Sequence, residues 1–236
     1  MTKFCFDDKI KITIFWIAQG EKGLDISNKK VHFLGDSITE GCGASAPDKC
    51  FVALFQQKYP EAEITNYGIG GTRLARQTKH SQDIMYDYDF NQRVREMKSG
   101  ADLVVVFGGT NDYGHGDAPF GEWGDKTEKT FCGAVYALYE KLLNKFRFAQ
   151  ILVLTPLHRL NEENPSPCGR PLIDYVEIIR KTAEYFALPV LDLYKKSGMN
   201  PAVAKVQETM MPDGLHPNDT GYQRLFSLID GYIATL

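Results

Sequence analysis

The chain has 236 residues, 43% hydrophobic and 24% charged, with a formal net charge of -3 and a pI near 6.0. Those values suit one large α/β domain with a substantial core and exclude the basic footprint of a nucleic-acid binder; no Lys/Arg stripe contradicts them. The longest early apolar run, Ile12 to Ala18, is far too short to span a membrane. Asp7 and Asp8 spoil the positive flank that a signal peptide would need. The five cysteines (Cys5, Cys42, Cys50, Cys132, Cys168) are odd in number and lack CxxC spacing. Reduced thiols are the simpler reading, and the protein is expected to be cytoplasmic.

Residues 1 to about 25 read as an N-terminal arm or extra strand: Lys11 to Ile14 alternates, and Phe15-Trp16-Ile17 breaks the alternation. From residue 26 to 236 the pattern is a single domain of strand, loop and helix repeated. Val31 to Leu34 is the first core strand, followed by a Gly-rich loop and a helix from about Pro47 to Tyr59. A second strand is expected at Glu63 to Tyr67, and a helix near Asp89 to Met97. Leu103 to Phe107 is five apolar residues in succession, the mark of a strand covered on both faces. A long loop then leads to a helix over about Thr127 to Arg147, with Phe131, Val135, Leu138, Leu142 and Phe146 at helical spacing. Ile151 to Leu154 is the next strand, stopped by Pro156. A helix carries Leu172, Val176, Ile179, Ala183 and Phe186, Val190 to Leu193 is a last short strand, and Asp219 to Leu236 closes the chain as an amphipathic helix. Alternating strands and helices imply right-handed crossovers and a parallel sheet with helices on both faces, a three-layer α/β/α domain.

Three loops follow predicted strands and therefore open at the same sheet edge. They carry Ser37, then Asn66 and Gly71, then Gly108-Gly109-Thr110-Asn111-Asp112. A fourth element, Asp213-Gly214-Leu215-His216, precedes the last helix. That set matches what acyl transfer requires. A serine hydroxyl needs a base, for which His216 is the candidate, and the base needs a carboxylate, for which Asp213 is. The backbone N–H groups of Ser37 and Gly71 and the Asn111 amide would make the oxyanion hole.

Gly35-Asp36-Ser37, Gly71 after Asn66, Gly109-Thr110-Asn111-Asp112 and Asp213-x-x-His216 resemble the four ordered blocks of the GDSL or SGNH hydrolase family. The resemblance runs from about Lys30 to the C-terminus. Each block is weak alone; four in order, each at the right place in the α/β pattern, are specific together. The resemblance implies a flavodoxin-like sheet of about five parallel strands and a metal-free, cofactor-free Ser-His-Asp esterase or lipase-type activity. Ile38 stands where the family name has leucine, and the N-terminal arm has no counterpart in the minimal family. The motif is not the G-x-S-x-G elbow of α/β-hydrolases.

Other readings compete at each position. Ser37 beside glycines could cap a helix, Asp213-Gly214 could be an ordinary turn, and Asp219 could cap the last helix. Asp36 and Asp112 read as loop-fixing residues. His115 and Trp123 are expected to contact substrate, with Phe120 nearby, while His32 and His80 read as structural or solvent-facing. No HxH or HExxH pattern supports a metal site, and Cys42 has no base partner. The expected substrate is a small-molecule ester, a short acyl (acetyl) group on a carbohydrate or other small polar alcohol. Lysophospholipase or lipase-type hydrolysis and acyl transfer could use the same triad. A non-catalytic flavodoxin-like anion-binding module is the alternative from another class. No nucleic-acid or membrane-spanning role is expected; an oligomer is compatible with the sequence.

Overall fold

The computed structural model describes residues 23–236; the expected arm over residues 1 to 25 lies almost wholly outside them. Five parallel strands, β1 (Lys30–Gly35), β2 (Glu63–Gly68), β3 (Leu103–Phe107), β4 (Gln150–Leu154) and β5 (Val190–Leu191), lie side by side in the order β2-β1-β3-β4-β5. The expected three-layer sheet with the flavodoxin-like strand order is what forms.

Period-2 alternation divides the core into two faces. Val31 and Phe33 of β1, Leu103, Val105 and Phe107 of β3, and Leu152 and Leu154 of β4 point to one face. They meet α2 (Phe51–Lys58) and α9 (Asp219–Ile233) through Phe51, Phe55, Tyr222, Leu225 and Ile229. Leu34, Val104, Val106, Ile151 and Val153 point to the other face. There they meet α3 (Phe90–Glu96), α5 (Phe131–Lys145) and α6 (Leu172–Tyr185) through Val94, Leu138, Leu142, Val176 and Ile179. His32 sits on this second face, with Tyr67 and Phe146 edge-on to its ring; burial lowers its pKa.

Several boundaries differ from expectation for local reasons. The helix expected from Pro47 to Tyr59 is a 3₁₀ turn at Pro47–Lys49 followed by α2, because Cys50 between them takes ψ 155. Thr130 caps α5 with its hydroxyl, so the helix starts later than its apolar spacing suggests. The last helix is capped by Asn218, not Asp219: Asn218 Oδ1 accepts from Gly221 N at 3.1 Å. Asp219 is spent instead on Ser45, accepting from its N–H at 2.8 Å and its hydroxyl at 2.6 Å. The stretch after β3, expected to be loop, begins with α4 (Thr110–His115). The remaining short helices are α1 (Ser37–Glu40), α7 (Leu193–Lys196) and α8 (Ala204–Met210). Leu193, placed at the end of the last strand from sequence, starts α7.

Strand order sets the site. The chain leaves β1 to pair β2 on one side, then returns to place β3 on the other. The loops after β1 and β3 therefore diverge from adjacent strands, and the crevice between them at the carboxyl edge is where open α/β sheets bind ligands.

Candidate active site

Ser37 is the first residue of α1. Asp36 caps that short helix, accepting from Ile38 N at 3.1 Å, and Gly41 ends it in the left-handed conformation. Asp36 is thus the loop-fixing residue expected of it; burial pushes its carboxyl up to about 6, against the Ile38 hydrogen bond and the nearby His216 and Arg93. The serine reaches the crevice at the carboxyl end of β1 from the start of a helix, not from an open loop. Its hydroxyl lies 2.9 Å from His216 Nε2.

His216 is aimed by a turn that its own partner closes. Asp213 Oδ1 accepts from the N–H groups of Leu215 (2.9 Å) and His216 (2.7 Å), while Oδ2 lies 2.7 Å from His216 Nδ1. One carboxylate both folds the turn and orients the ring. Burial raises the Asp213 pKa, but these hydrogen bonds outweigh it and hold the carboxyl below its usual value. Asp213 therefore meets His216, and His216 in turn meets Ser37.

Serine and histidine are 179 residues apart in the chain, and contacts absent from the sequence reading hold them in register. The Tyr222 hydroxyl on α9 donates toward the carbonyls of Ile38 (3.1 Å) and Cys42 (2.6 Å). Asp219 holds Ser45, as above. At Gly43 (φ +90) a Cβ would stand 2.5 Å from Pro217 O and 3.1 Å from His216 Cβ, so the two segments touch where no side chain fits. The only sequence signal for these ties was the polar Asn218-Asp219 pair at the head of an amphipathic helix.

The side expected to hold the oxyanion is equally braced. The Ser37 and Gly71 N–H groups have no acceptor among the described residues, and Ser37, as the first residue of a helix, has none within it. Asn111 donates one amide hydrogen to Thr72 O at 3.0 Å and keeps the other. Asp112, the second loop-fixing residue, accepts from Leu74 N and Ala75 N at 2.9 Å each; burial pushes it up to about 7. Glu40 accepts from Gly70 N at 2.7 Å. Asn66 bonds Thr39 O at 2.9 Å and takes Gly68 N at 2.7 Å. Beneath them lies Arg93, 4% exposed. It donates to Gly35 O (2.9 Å), Tyr67 O and Thr72 Oγ1 (2.8 Å), joining the ends of β1 and β2 to the loop carrying Gly71. Asn66, Asn111 and Asp112 were legible as motif residues; Glu40 and Arg93 were not.

His115 borders this side, its ring 5.8 Å from that of Tyr86. Its Nδ1 lies 3.2 Å from Arg73 Nη1, and burial, then Arg73 and Arg159, lower its pKa to about 4. Tyr86 covers Gly71 so closely that a Cβ there would meet its ring at 2.4 Å, and φ +70 at Gly71 disfavours a side chain in any case. Arg73 fixes this wall, donating to Ser81 Oγ, Tyr86 O and Asp87 Oδ1. Trp123 is placed elsewhere. Its ring packs on Tyr185, with Lys181 Nζ 4.2 Å from its centre, on the outer side of α6. Phe120 turns into the core against Phe131 and Tyr175. His80 is solvent-facing, its side chain 96% exposed. Cys42 is a poor nucleophile, because partial burial and Glu40 raise its thiol pKa. Among the described residues no group of three or more His, Cys, Asp or Glu is arranged to hold a metal ion, and no helix is long and apolar enough to cross a membrane.

A parallel α/β/α sheet whose carboxyl edge aligns serine, histidine and aspartate defines a serine hydrolase. The family model of GDSL-like lipases and acylhydrolases matches residues 33–224, and the chain belongs to that family, whose members hydrolyse esters. No curated protein matches the chain. A solved structure from Lactobacillus plantarum is 26% identical with a TM-score of 0.77, over 89% of this chain and 98% of its own. A lipase/acylhydrolase from Enterococcus faecalis is 23% identical with a TM-score of 0.61, over 87% and 95%. A two-domain esterase active on acetylated mannans is 20% identical with a TM-score of 0.54; it covers 97% of this chain, which spans 54% of that one.

Proposed function

We propose that this protein is a serine esterase that removes a short acyl group, acetyl above all, from a carbohydrate or other small polar alcohol. The observation that carries the mechanism is the line Ser37 Oγ–His216 Nε2 (2.9 Å) and His216 Nδ1–Asp213 Oδ2 (2.7 Å), facing N–H donors that have no acceptor of their own. Ser37 Oγ attacks the ester carbonyl as its proton passes to His216. The negative charge that develops on the carbonyl oxygen is held by the Ser37 and Gly71 N–H groups and the free Asn111 amide hydrogen. His216 returns the proton to the departing alcohol, leaving Ser37 acylated. Water then attacks, again deprotonated by His216, and the acid leaves with Ser37 restored. Asp213 fixes the imidazole tautomer and stabilises the imidazolium.

The acyl preference rests on Tyr86 and His115, which wall the oxyanion side, and on the fold shared with an esterase active on acetylated mannans. The four described cysteines are free, in keeping with a reducing, cytoplasmic setting. One feature favours a second reading: Ile84 (76% exposed) and Met85 (47%) stand open to solvent beside Tyr86, as a longer acyl chain would require. Hydrolysis of p-nitrophenyl esters from acetate to palmitate by wild type and Ser37→Ala tests both. A peak at acetate that vanishes in the variant is expected. A peak at long chains moves the substrate to lipids, and full activity in Ser37→Ala overturns the mechanism.

A further inference from the structure

Four arginines lie near the core of this protein, and three are engaged by protein oxygens, although Arg73 Nε and Arg180 Nε are themselves buried without a hydrogen-bond partner among the described residues. Arg93 is consumed by carbonyl and hydroxyl oxygens. Arg73 pairs with Asp87. Arg180 presents one edge to a carboxylate, with Nε 2.8 Å from Asp192 Oδ2 and Nη2 3.1 Å from Oδ1. Arg159 differs. Its Nη1 donates to Thr110 O (3.1 Å) and Thr110 Oγ1 (3.2 Å), and its guanidinium lies over the Tyr113 ring, 5.3 Å from the centre. Its Nε and Nη2 have no partner among the described residues, and neither is sealed from solvent. No carboxylate lies within ion-pair distance of it there, although it is half-buried. The free edge, Nε with Nη2, is the fork of donors that matches a carboxylate's two oxygens.

Its place in the site is set by both neighbours. Thr110 directly precedes Asn111, and a Cβ at Gly114 would stand 2.6 Å from Arg159 Nη1, so the guanidinium lies along α4. On the other side, Leu160 N donates to Gly214 O at 2.8 Å, tying this loop to the turn that carries Asp213 and His216. Burial lowers the Arg159 pKa, while Tyr113, Asp36, Asp213 and Glu162 hold it up, so the two acids flanking Ser37 and His216 lie within its field. Glu162, the near carboxylate of its own loop, is occupied by His158 (2.6 Å), the Tyr194 hydroxyl (2.8 Å) and the Arg159 N–H (2.9 Å).

In ester hydrolysis the departing oxygen must collect its proton from His216 Nε2, so the alcohol leaves on the histidine side. The loop bearing Arg159 is bonded to that side. We propose that Arg159 is a specificity-determining residue that grips a carboxylate on the alcohol part of the ester. This rests on the esterase reading above and narrows its polar alcohol to an acidic one.

The test pairs 4-acetoxybenzoate with methyl 4-acetoxybenzoate, in wild type, Arg159→Gln and Arg159→Lys. The ratio of kcat/KM between the two esters, compared across variants, cancels both intrinsic reactivity and any general loss of activity. The Gln variant is expected to lower the acidic-to-neutral ratio by about tenfold or more, with partial recovery in the Lys variant. Calorimetric titration with 4-hydroxybenzoate, which needs no turnover, should show about tenfold weaker binding to Arg159→Gln. A parallel fall for both esters would mean that Arg159 only positions Thr110 and Asn111, and overturns the proposal. So does an unchanged ratio, or equal binding of 4-hydroxybenzoate. If wild type cleaves neither ester yet binds 4-hydroxybenzoate through Arg159, the esterase reading falls and the carboxylate site stands.

Discussion

Replacing Arg93 with methionine should damage stability and activity together, because this one side chain braces both the sheet edge and the loop carrying Gly71. Its charge persists at neutral pH: burial lowers the pKa only to about 10, with Asp36, Asp89 and Glu40 opposing. The variant deletes three hydrogen bonds, but each acceptor keeps another partner. Gly35 O keeps the Ile69 N–H, and the Thr72 hydroxyl keeps its donation to Ile69 O. Tyr67 O, in register with Leu34, faces β1 and keeps its place in the parallel ladder. No acceptor is stranded, and each of the three lost bonds to the charged guanidinium is worth roughly 1.5–3 kcal/mol. Releasing a buried guanidinium offsets part of this, so a net loss of about 3 kcal/mol is expected. For a chain of this size that lowers Tm by roughly 6–12 °C. The loop holding Gly71 also loosens, and a donor misplaced by about an ångström costs up to about a hundredfold. kcat should therefore fall ten- to a hundredfold, as an order of magnitude, with KM little changed. Urea unfolding and steady-state kinetics on p-nitrophenyl acetate measure both. Unfolding within about 0.5 kcal/mol of wild type, with kcat unaltered, would refute the claim that Arg93 braces the site.

Two further outcomes test the site itself. Asn111→Ala removes the proposed oxyanion donor and should cost about 10²–10³ in kcat with KM nearly constant; a loss confined to KM would place Asn111 outside the oxyanion hole. For Asp213, the folded pKa lies below the ordinary 3.8. Its carboxylate therefore contributes stability that is fully present above about pH 5 and is lost as pH falls below 4 through the folded value. The urea-midpoint difference between wild type and Asp213→Asn should be constant from pH 7 to 5 and shrink toward pH 3. A difference that grows on acidification would show that the carboxylate is not held ionised by the turn.

Much of this protein was legible in its sequence because the signals are local. A short, β-branched apolar run such as Leu103 to Phe107, stopped by Gly108-Gly109, reads as a strand covered on both faces. Gly-rich loops after such strands must open at one edge, and a turn of the form Asp213-x-x-His216 carries its own geometry, since one carboxylate closes it. Ser37, Asn111, His216 and Asp213 could be named for that reason. Short helices were missed where no apolar period marks them, as at Thr110–His115. Trp123 was assigned to substrate on loop position alone, and the chain carries it to the outer side of α6.

What only the tertiary structure decided is which distant groups share a partner. Arg73, Arg93 and Arg159 are three arginines with nothing in their local sequence to distinguish one from another. Folding gives the first a wall to hold, spends the second on the ends of two strands, and leaves the third with a free edge beside the histidine turn. The same holds for Tyr222, whose hydroxyl reaches the Ser37 helix across 184 residues of chain. Backbone periodicity and turn chemistry are written within a few residues. A buried donor's acceptors are chosen by whichever chain segments the sheet brings alongside, and strand order, not sequence neighbourhood, makes that choice.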